Sequence, residues 1–476
     1  MVIHRLLLFA ASSFAFIAPA AAQDAAETVG GLLALPEASG EPLSIDRDTD
    51  PVLLLGSRNE SMAVFREAIG TAVARNPSVS EAEAGARVAE ADKDEARAGL
   101  IPDVQVGFAA RESIAREFQN DPDNVLESAR SQSRYDATFG VSQTVLDFGA
   151  TSARIEAGSH RIRSAMLSVD AEAERVALAA IATWYDVFAF RALVDLSDVF
   201  LVNQRAALAS IQERIDSGVN APGDLARAES SIALTSASLA RFRRQLASAE
   251  ARYRELIGMP PPPGTLRAPD PGLPDLSLDM ATYLARVSPM VEAARENANA
   301  VYDDSRAAKA ERLPQASLGV RGGYYGLFDE DPGDSYDVRA ELQVTQEFFS
   351  GRFARADSAV ARADAALARA EAVEEEAARD AAIAWADVRA LDAELAALAD
   401  NYIAARRTRD VLAERFRAAR GSLFDVLQAE DTYFSVAGRY IQTLTERDAA
   451  RYVLLARTGR LLEALDIERA EPLARR

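Results

Sequence analysis

The sequence predicts a mainly α-helical protein in which two pairs of β-strands interrupt long helices, and in which this arrangement occurs twice. Two long proline-free segments show heptad spacing, two pairs of short segments alternate with period two, and the halves of the chain align with each other. The 476 residues carry a net charge of −20, no cysteine and two histidines. This composition argues against thiolate chemistry, most zinc sites and nonspecific nucleic-acid binding.

The first 22 residues are typical of a secretory signal peptide. His4 and Arg5 precede an apolar stretch that ends at Ile17, and small residues follow before Gln23. This stretch is shorter than the roughly 20 residues that a membrane-spanning helix needs, so we expect cleavage and export. Residues 23–60 then form an N-terminal extension.

The remaining chain contains an internal duplication. Pro77 aligns with Pro289, and further along a constant offset of 201 residues pairs Trp184 with Trp385, so that both tryptophans are in register. A proline-rich stretch that cannot be helical separates the copies. The predicted segments are a first repeat, a linker, a second repeat and a tail, at 61–258, 259–278, 279–465 and 466–476.

Each repeat begins with one helix of moderate length that ends at a proline, after which two strands follow. The strands are predicted at about 102–112, 135–146, 315–326 and 336–348. Their length and alternation suit membrane β-strands, but a water-soluble sheet with one buried face alternates in the same way. Because four strands cannot close a barrel, the membrane interpretation requires several copies of the chain.

Two very long helices follow the strand pairs. The proline-free stretches span roughly 100 Å at 1.5 Å per residue. Apolar residues recur every seven positions, which predicts helices packed side by side. Each long helix reverses at a short turn and returns as a shorter helix, which places the hairpin helices at 149–218, 222–257, 351–419 and 423–465.

With this order of elements, the chain resembles the TolC family of outer-membrane channels over essentially its whole mature length. Local stretches at 143–149, 346–351, 421–430 and 451–462 are similar to the family's sequences at the strand-to-helix junctions, the second hairpin turn and the C-terminal helix. The resemblance implies a homotrimer in outer-membrane lipid. Its three sets of four strands would close one 12-stranded β-barrel, and its helices would form a tunnel in the periplasm.

The resemblance also implies a passive exit duct without catalytic residues, cofactor or metal. Its partners would be a periplasmic adaptor (membrane fusion protein) and an inner-membrane ABC transporter. The first hairpin turn and the C-terminal end look most like members that secrete proteins, which indicates a type I secretion system exporting unfolded protein. Multidrug or small-molecule efflux with an RND pump is the alternative. A periplasmic coiled-coil scaffold is a third hypothesis, and an enzyme is the weakest because the usual catalytic residue types are missing.

Four residues align with positions of the family's pore entrance, and two of them match the family's residue. Asp425 corresponds to an acidic ring, where three carboxylates would attract cations. Gln428 replaces a second aspartate of the family's best-known member. Asp224 matches an aspartate that bonds a tyrosine in that member, and Phe416 occupies the tyrosine's position without a hydroxyl. N-capping of the returning helices is the alternative role for both aspartates.

The hairpin tips are where relatives meet the adaptor. The residues that match those tips are Gly218 and Val219 in the first hairpin, and Gly421, Ser422 and Leu423 in the second. The alternative is that these glycines simply reverse the chain. We interpret the two paired tryptophans as packing residues and His160 as structural.

Overall fold

The computed structural model describes residues 38–42, 44–115, 133–216, 222–273, 275–327, 335–348, 351–418 and 420–468. The predicted signal peptide lies outside these residues. The chain divides into two compact units. The hairpin unit comprises the described residues up to Ser61 with those of 183–269 and 393–446, and the sheet unit comprises the described residues of 62–182, of 270–392 and from Arg447 to Glu468.

A short 3₁₀ helix, Leu53–Gly56, precedes the first repeat. The first repeat contains α1 (Met62–Arg75), α2 (Pro77–Ala98), β1 (Asp103–Glu112), β2 (Ser133–Leu146), α3 (Ala150–Asp216) and α4 (Pro222–Ile257). The second repeat contains α5 (Leu278–Arg286), α6 (Pro289–Ala310), β3 (Gln315–Tyr325), β4 (Ser335–Thr345), α7 (Arg352–Arg417), α8 (Leu423–Arg457) and α9 (Leu461–Ala464).

The structure corrects the prediction of a single helix at the start of each repeat, because two helices stand there. Asn76 is extended (φ −73°, ψ 126°), and its side chain accepts a hydrogen bond from the Ser78 amide at 3.0 Å. Ser288 is extended in the same way before Pro289. A proline at the first helical position disfavours helical geometry in the residue before it, so each proline starts a new helix.

The last long helix also ends earlier than the predicted residue 465. Gly459 has φ +67°, and its amide donates to the Ala456 carbonyl oxygen at 2.9 Å. The Arg460 amide donates to the Leu455 carbonyl oxygen at 2.8 Å. These two hydrogen bonds form a Schellman cap, which stops α8 at Arg457.

The four strands form one antiparallel sheet in the order β1-β2-β3-β4. The register places Val106 opposite Phe139, Phe139 opposite Gly322, and Gly322 opposite Val338, so one face is apolar. The apolar side chains of this face are largely exposed in the single chain; Val106, for example, is 84% exposed. The other face carries charged side chains. A water-soluble sheet of this kind would bury its apolar face, so the exposure favours a lipid-facing surface.

The hairpin unit has its core where α3, α4, α7 and α8 pack together. Its largest buried side chains include Phe188, Leu196, Phe200, Phe242, Tyr402, Tyr433, Tyr440 and Ile441. Val52 and Leu55 of the N-terminal segment join this core. Among the described helices, one meets the length and hydropathy criteria for a membrane span, over Ala150–Glu213. Two-thirds of its most apolar window is buried, as in a helix that packs in a protein core.

Candidate functional site

The tip of the hairpin unit is held together by an apolar cluster from all four of its helices. Ile211 of α3, Ala228 of α4 and Leu423 of α8 are buried there. Leu208, Ile215, Phe416 and Leu427 are partly buried against them. The sequence-predicted residue Phe416 is therefore a packing residue of this tip cluster in the folded chain.

Asp425 is the third residue of α8 and is exposed, so it is not the N-cap that one alternative predicted. That position belongs to Ser422, whose hydroxyl oxygen accepts a hydrogen bond from the Phe424 amide at 3.1 Å. A carboxylate in the first turn is still favourable beside the positive end of the helix dipole. Gln428 lies one turn later and is also exposed, so the two side chains share a helix face.

Leu423, a predicted adaptor contact, is only 6% exposed within the tip cluster. The neighbouring Phe424 is 51% exposed instead. The Arg227 guanidinium of α4 lies 5.4 Å from the centre of its ring, a cation–π distance. Sequence reasoning missed this pair because the helical phase after the turn decides which of two adjacent apolar residues points inward.

Gly421 lies where the backbone approaches closely. A Cβ atom there would be 3.1 Å from the Phe416 amide nitrogen and 3.3 Å from the Arg415 carbonyl carbon. The glycine therefore serves the close packing of the turn. Gly218 and Val219 lie outside the described residues. Asp224 is the third residue of α4, and its side chain also lies outside the description.

Charged groups lie beyond the tip, and sequence reasoning did not identify them; Arg409 and Asp410 are buried, and Glu430 is partly buried. Burial raises the pKa of Glu430, although the Arg409 charge opposes this shift. Arg409 donates to Asp410 at 2.6 Å, and its guanidinium lies 4.6 Å from the centre of the Tyr433 ring. Burial likewise raises the pKa of Asp431, whose carboxylate accepts a hydrogen bond from the Ser231 hydroxyl at 3.1 Å. Heptad spacing gave no signal for these groups, because the pattern records apolar positions only.

The two paired tryptophans both hold the segment that joins the repeats. In the hairpin unit, the Trp184 indole N–H donates to the Leu266 carbonyl oxygen at 3.0 Å. In the sheet unit, the Trp385 indole N–H donates to the Leu276 carbonyl oxygen at 2.8 Å. Each repeat thus fixes one end of the linker with the same donor.

His160 links α3 to α6 within the sheet unit. Its Nδ1 atom lies 2.6 Å from Glu296 Oε2, and its Nε2 atom lies 3.6 Å from Asp303 Oδ2. Among the described residues, no three His, Asp or Glu side chains are grouped so as to hold a metal ion. At the hairpin tip, the groups available to a ligand or partner are the exposed Asp425 carboxylate and the exposed Phe424 ring, held by tightly packed helices.

A comparison with known families finds a match that covers most of the chain. Residues 68–259 and 284–460 match the family described as outer membrane efflux protein. These two segments coincide closely with the two repeats.

Individual proteins and solved structures agree with this match. The chain is 22% identical over 419 residues to the outer membrane efflux protein BepC of Brucella suis, covering 86% of this chain and 89% of BepC. It is 24% identical over 408 residues to protein CyaE of Bordetella pertussis, covering 83% and 84% of the two chains. The Campylobacter jejuni CmeC outer membrane channel superposes with a TM-score of 0.74 at 15% identity, covering 92% of this chain and 95% of CmeC.

Proposed function

The chain belongs to the outer membrane efflux protein family, and we propose that it is the exit duct of a type I secretion system that exports unfolded protein. It is an outer-membrane protein with its helical part in the periplasm, and its family consists of channels rather than enzymes. The observation that carries the channel function is the four-stranded sheet, whose apolar face is exposed and whose two edge strands have no partner strand within the described chain.

The open sheet edges favour a homotrimer. In lipid, each unpaired backbone group costs several kcal/mol, so β1 and β4 need strands from other copies. Three copies would close a 12-stranded barrel from four strands each. Light scattering of the detergent-solubilised protein, corrected for bound detergent, tests this. We expect three times the mass of the mature chain, and a stable single subunit would refute the proposal.

One feature supports the secretion assignment: the first hairpin turn resembles those of protein-secreting channels. The sequence shows no phosphate-binding loop motif, so under either assignment we propose that a partner supplies the energy. We expect an adaptor and an ABC transporter to co-purify with the tagged channel after cross-linking in native membranes. Deleting the channel should then leave the exported protein inside the cell.

Small-molecule efflux is the second candidate, and the name of the relative BepC favours it. In that case the co-purifying pump would be a proton-driven RND transporter. Cells without the channel would become sensitive to small toxic compounds while protein export continued. The two outcomes are distinct, so the same deletion strain decides between them.

We further propose that Asp425 forms the acidic ring of the tunnel entrance. In a trimer its three exposed carboxylates would attract cations. Asp425→Asn should lower the cation selectivity of single channels in planar bilayers. Gln428→Asp should raise it and make the channel more sensitive to block by divalent cations, because it adds a second ring. Unchanged selectivity in both variants would exclude an entrance role.

At the second tip, we propose that the adaptor contacts Phe424 together with Gly421 and Ser422, and at the first tip Gly218 and Val219. Phe424 offers an exposed aromatic ring that a helical partner can bury. Phe424→Ala should weaken adaptor binding at least tenfold while conductance is retained. Exposed Phe348, far along the sequence from the tip, provides the control substitution Phe348→Ala.

With a phenylalanine at position 416, we propose that apolar packing holds the entrance closed. Phe416 packs against the cluster that contains Leu423 and Ile211. Phe416→Ala should raise the conductance of the resting channel by loosening this cluster. An unchanged conductance would mean that other contacts keep the entrance shut, such as one made by Asp224.

A further inference from the structure

An N-terminal strap, defined here as residues 44–57, is fastened to the second hairpin by one buried carboxylate. Asp50 is buried, and its Oδ1 atom accepts hydrogen bonds from the amides of Val52 at 2.9 Å and Leu53 at 3.1 Å. Its Oδ2 atom accepts from the Tyr402 hydroxyl at 3.0 Å and from Arg406 Nη1 at 2.6 Å. Four donors therefore satisfy this one carboxylate.

The hydrogen-bonded chain continues from α7 to α8. The hydroxyl oxygens of Tyr402 and Tyr433 are 2.9 Å apart, and both rings are fully buried. Burial raises the pKa of Tyr402, and it raises that of Tyr433 to about 12, so both hydroxyls keep their protons. The strap, α7 and α8 thus share one polar network inside an otherwise apolar core.

The first hairpin shows that the fold does not require this network. At the offset of 201 residues, Leu201 and Ile232 stand in place of Tyr402 and Tyr433. Arg205 is exposed at the position equivalent to Arg406, whose side chain is 11% exposed. The same hairpin geometry therefore forms with apolar side chains at these positions.

A buried ion pair adds little stability compared with apolar packing, but it can fix the register of neighbouring helices. Small side chains at Ala405 of α7 and Ala437 of α8, both buried in the same core, would permit one helix to slide along the other. Additional contacts hold the strap in place. Arg47 pairs with Asp400, and the Gly56 carbonyl oxygen accepts a hydrogen bond from Arg267.

We propose that the N-terminal strap is a conformational clasp, in which Asp50 fixes the register of α7 against α8 and holds the second hairpin in one conformation. The clasp acts on the second hairpin alone, because in the first hairpin apolar side chains replace both tyrosines and the equivalent arginine, Arg205, is exposed. This proposal does not depend on what the protein transports.

Hydrogen–deuterium exchange of the full mature protein in detergent tests the clasp. Asp50→Asn keeps the size of the side chain but removes the charge that neutralises Arg406. We expect amide exchange to become at least tenfold faster in peptides from 395–412 and 428–445. Peptides from 194–211 and 227–244, in the first hairpin, should change less than twofold. Asp48→Asn, at an exposed position of the same strap, is the matched control.

A second variant covers the case in which Asp50→Asn fails to assemble. Tyr402→Phe removes only the hydroxyl that joins Asp50 to Tyr433, and it should accelerate exchange in the same two regions by a smaller factor. Unchanged exchange in the second hairpin would overturn the proposal. Equal acceleration in both hairpins would also overturn it, since that pattern reports general destabilisation.

Discussion

The two paired tryptophans allow a quantitative test of how the linker is held. Trp184 is fully buried and stacks obliquely on Tyr253, with ring centres 5.9 Å apart. Trp385 is partly buried. Each indole N–H donates to a linker carbonyl oxygen, at 3.0 and 2.8 Å respectively. The substitutions Trp184→Phe and Trp385→Phe remove the same donor from two environments that differ in access to water.

The burial of each ring sets the expected cost. Losing a hydrogen bond inside the protein leaves a carbonyl group without a partner, which lowers the free energy of unfolding by about 1–3 kcal/mol. Phenylalanine is about 40 Å³ smaller than tryptophan, which adds about 1 kcal/mol at roughly 24 cal/mol per Å³ of cavity. Trp184→Phe should therefore cost about 2–4 kcal/mol. For Trp385→Phe, water can reach the freed carbonyl, so we expect about 1 kcal/mol.

Thermal unfolding in detergent at a fixed heating rate, followed by far-ultraviolet circular dichroism, measures the difference. At roughly 2 °C per kcal/mol for a large domain, Trp184→Phe should lower the midpoint by about 4–8 °C and Trp385→Phe by about 2 °C. Each variant keeps one tryptophan, whose emission wavelength reports its burial. Equal shifts, or a larger shift for Trp385→Phe, would refute the argument that buried hydrogen bonding sets the cost.

Three further predictions concern the room for a side chain at glycine positions and the pH dependence of stability. Gly459→Ala should lower the unfolding midpoint, because φ +67° costs an L-residue about 1–2 kcal/mol and a Cβ would lie 2.9 Å from the proline that starts α6. Gly438→Ala, within α8 and with only an ordinary 3.6 Å contact, should raise the midpoint instead. Gly322→Ala should lower the temperature at which the proposed trimer dissociates on gels, because its Cβ would lie 2.9 Å from a backbone oxygen of β4. Gly319→Ala, with a nearest contact of 3.5 Å, should not. Burial raises the pKa of Glu430 above its usual 4.5, so the folded state gains stability as the pH falls through the raised pKa. At pH 7.5 the Glu430→Gln variant should therefore be more stable than the unsubstituted protein. This difference in stability should shrink as the pH falls toward 4.5.

Much of the fold was predictable because it depends on local periodicity. Alternation located the strands to within two or three residues at each end, and the observed sheet runs Asp103–Glu112, Ser133–Leu146, Gln315–Tyr325 and Ser335–Thr345. The helix breaks before Pro77 and Pro289 were not predicted, although each proline biases the residue before it away from helical geometry. Capping by Asn76 and the extended geometry of Ser288 decide these boundaries.

The contacts of the hairpin tip and of the N-terminal strap were harder to predict because they join distant parts of the sequence. Asp50 and Tyr402 are 352 positions apart, and the periodicity of neither segment indicates the other. The choice between Leu423 and Phe424 as the exposed residue depends on the exact residue at which α8 begins. Helix ends are the least certain feature of any sequence-based assignment.

The duplication gives a physical criterion for separating structural from functional residues. Trp184 and Trp385 are identical in both repeats and make the same hydrogen bond, so the fold accounts for both. Asp224 and Asp425 are likewise identical, and each is the third residue of a returning helix, where the helix dipole favours a carboxylate. Because a helix start alone explains this identity, the repeat provides no evidence for a pore role. That role must be tested at Asp425 by measuring ion selectivity. If a substitution changes helix stability but leaves ion selectivity unchanged, Asp425 stabilises the start of the helix and has no role in the pore.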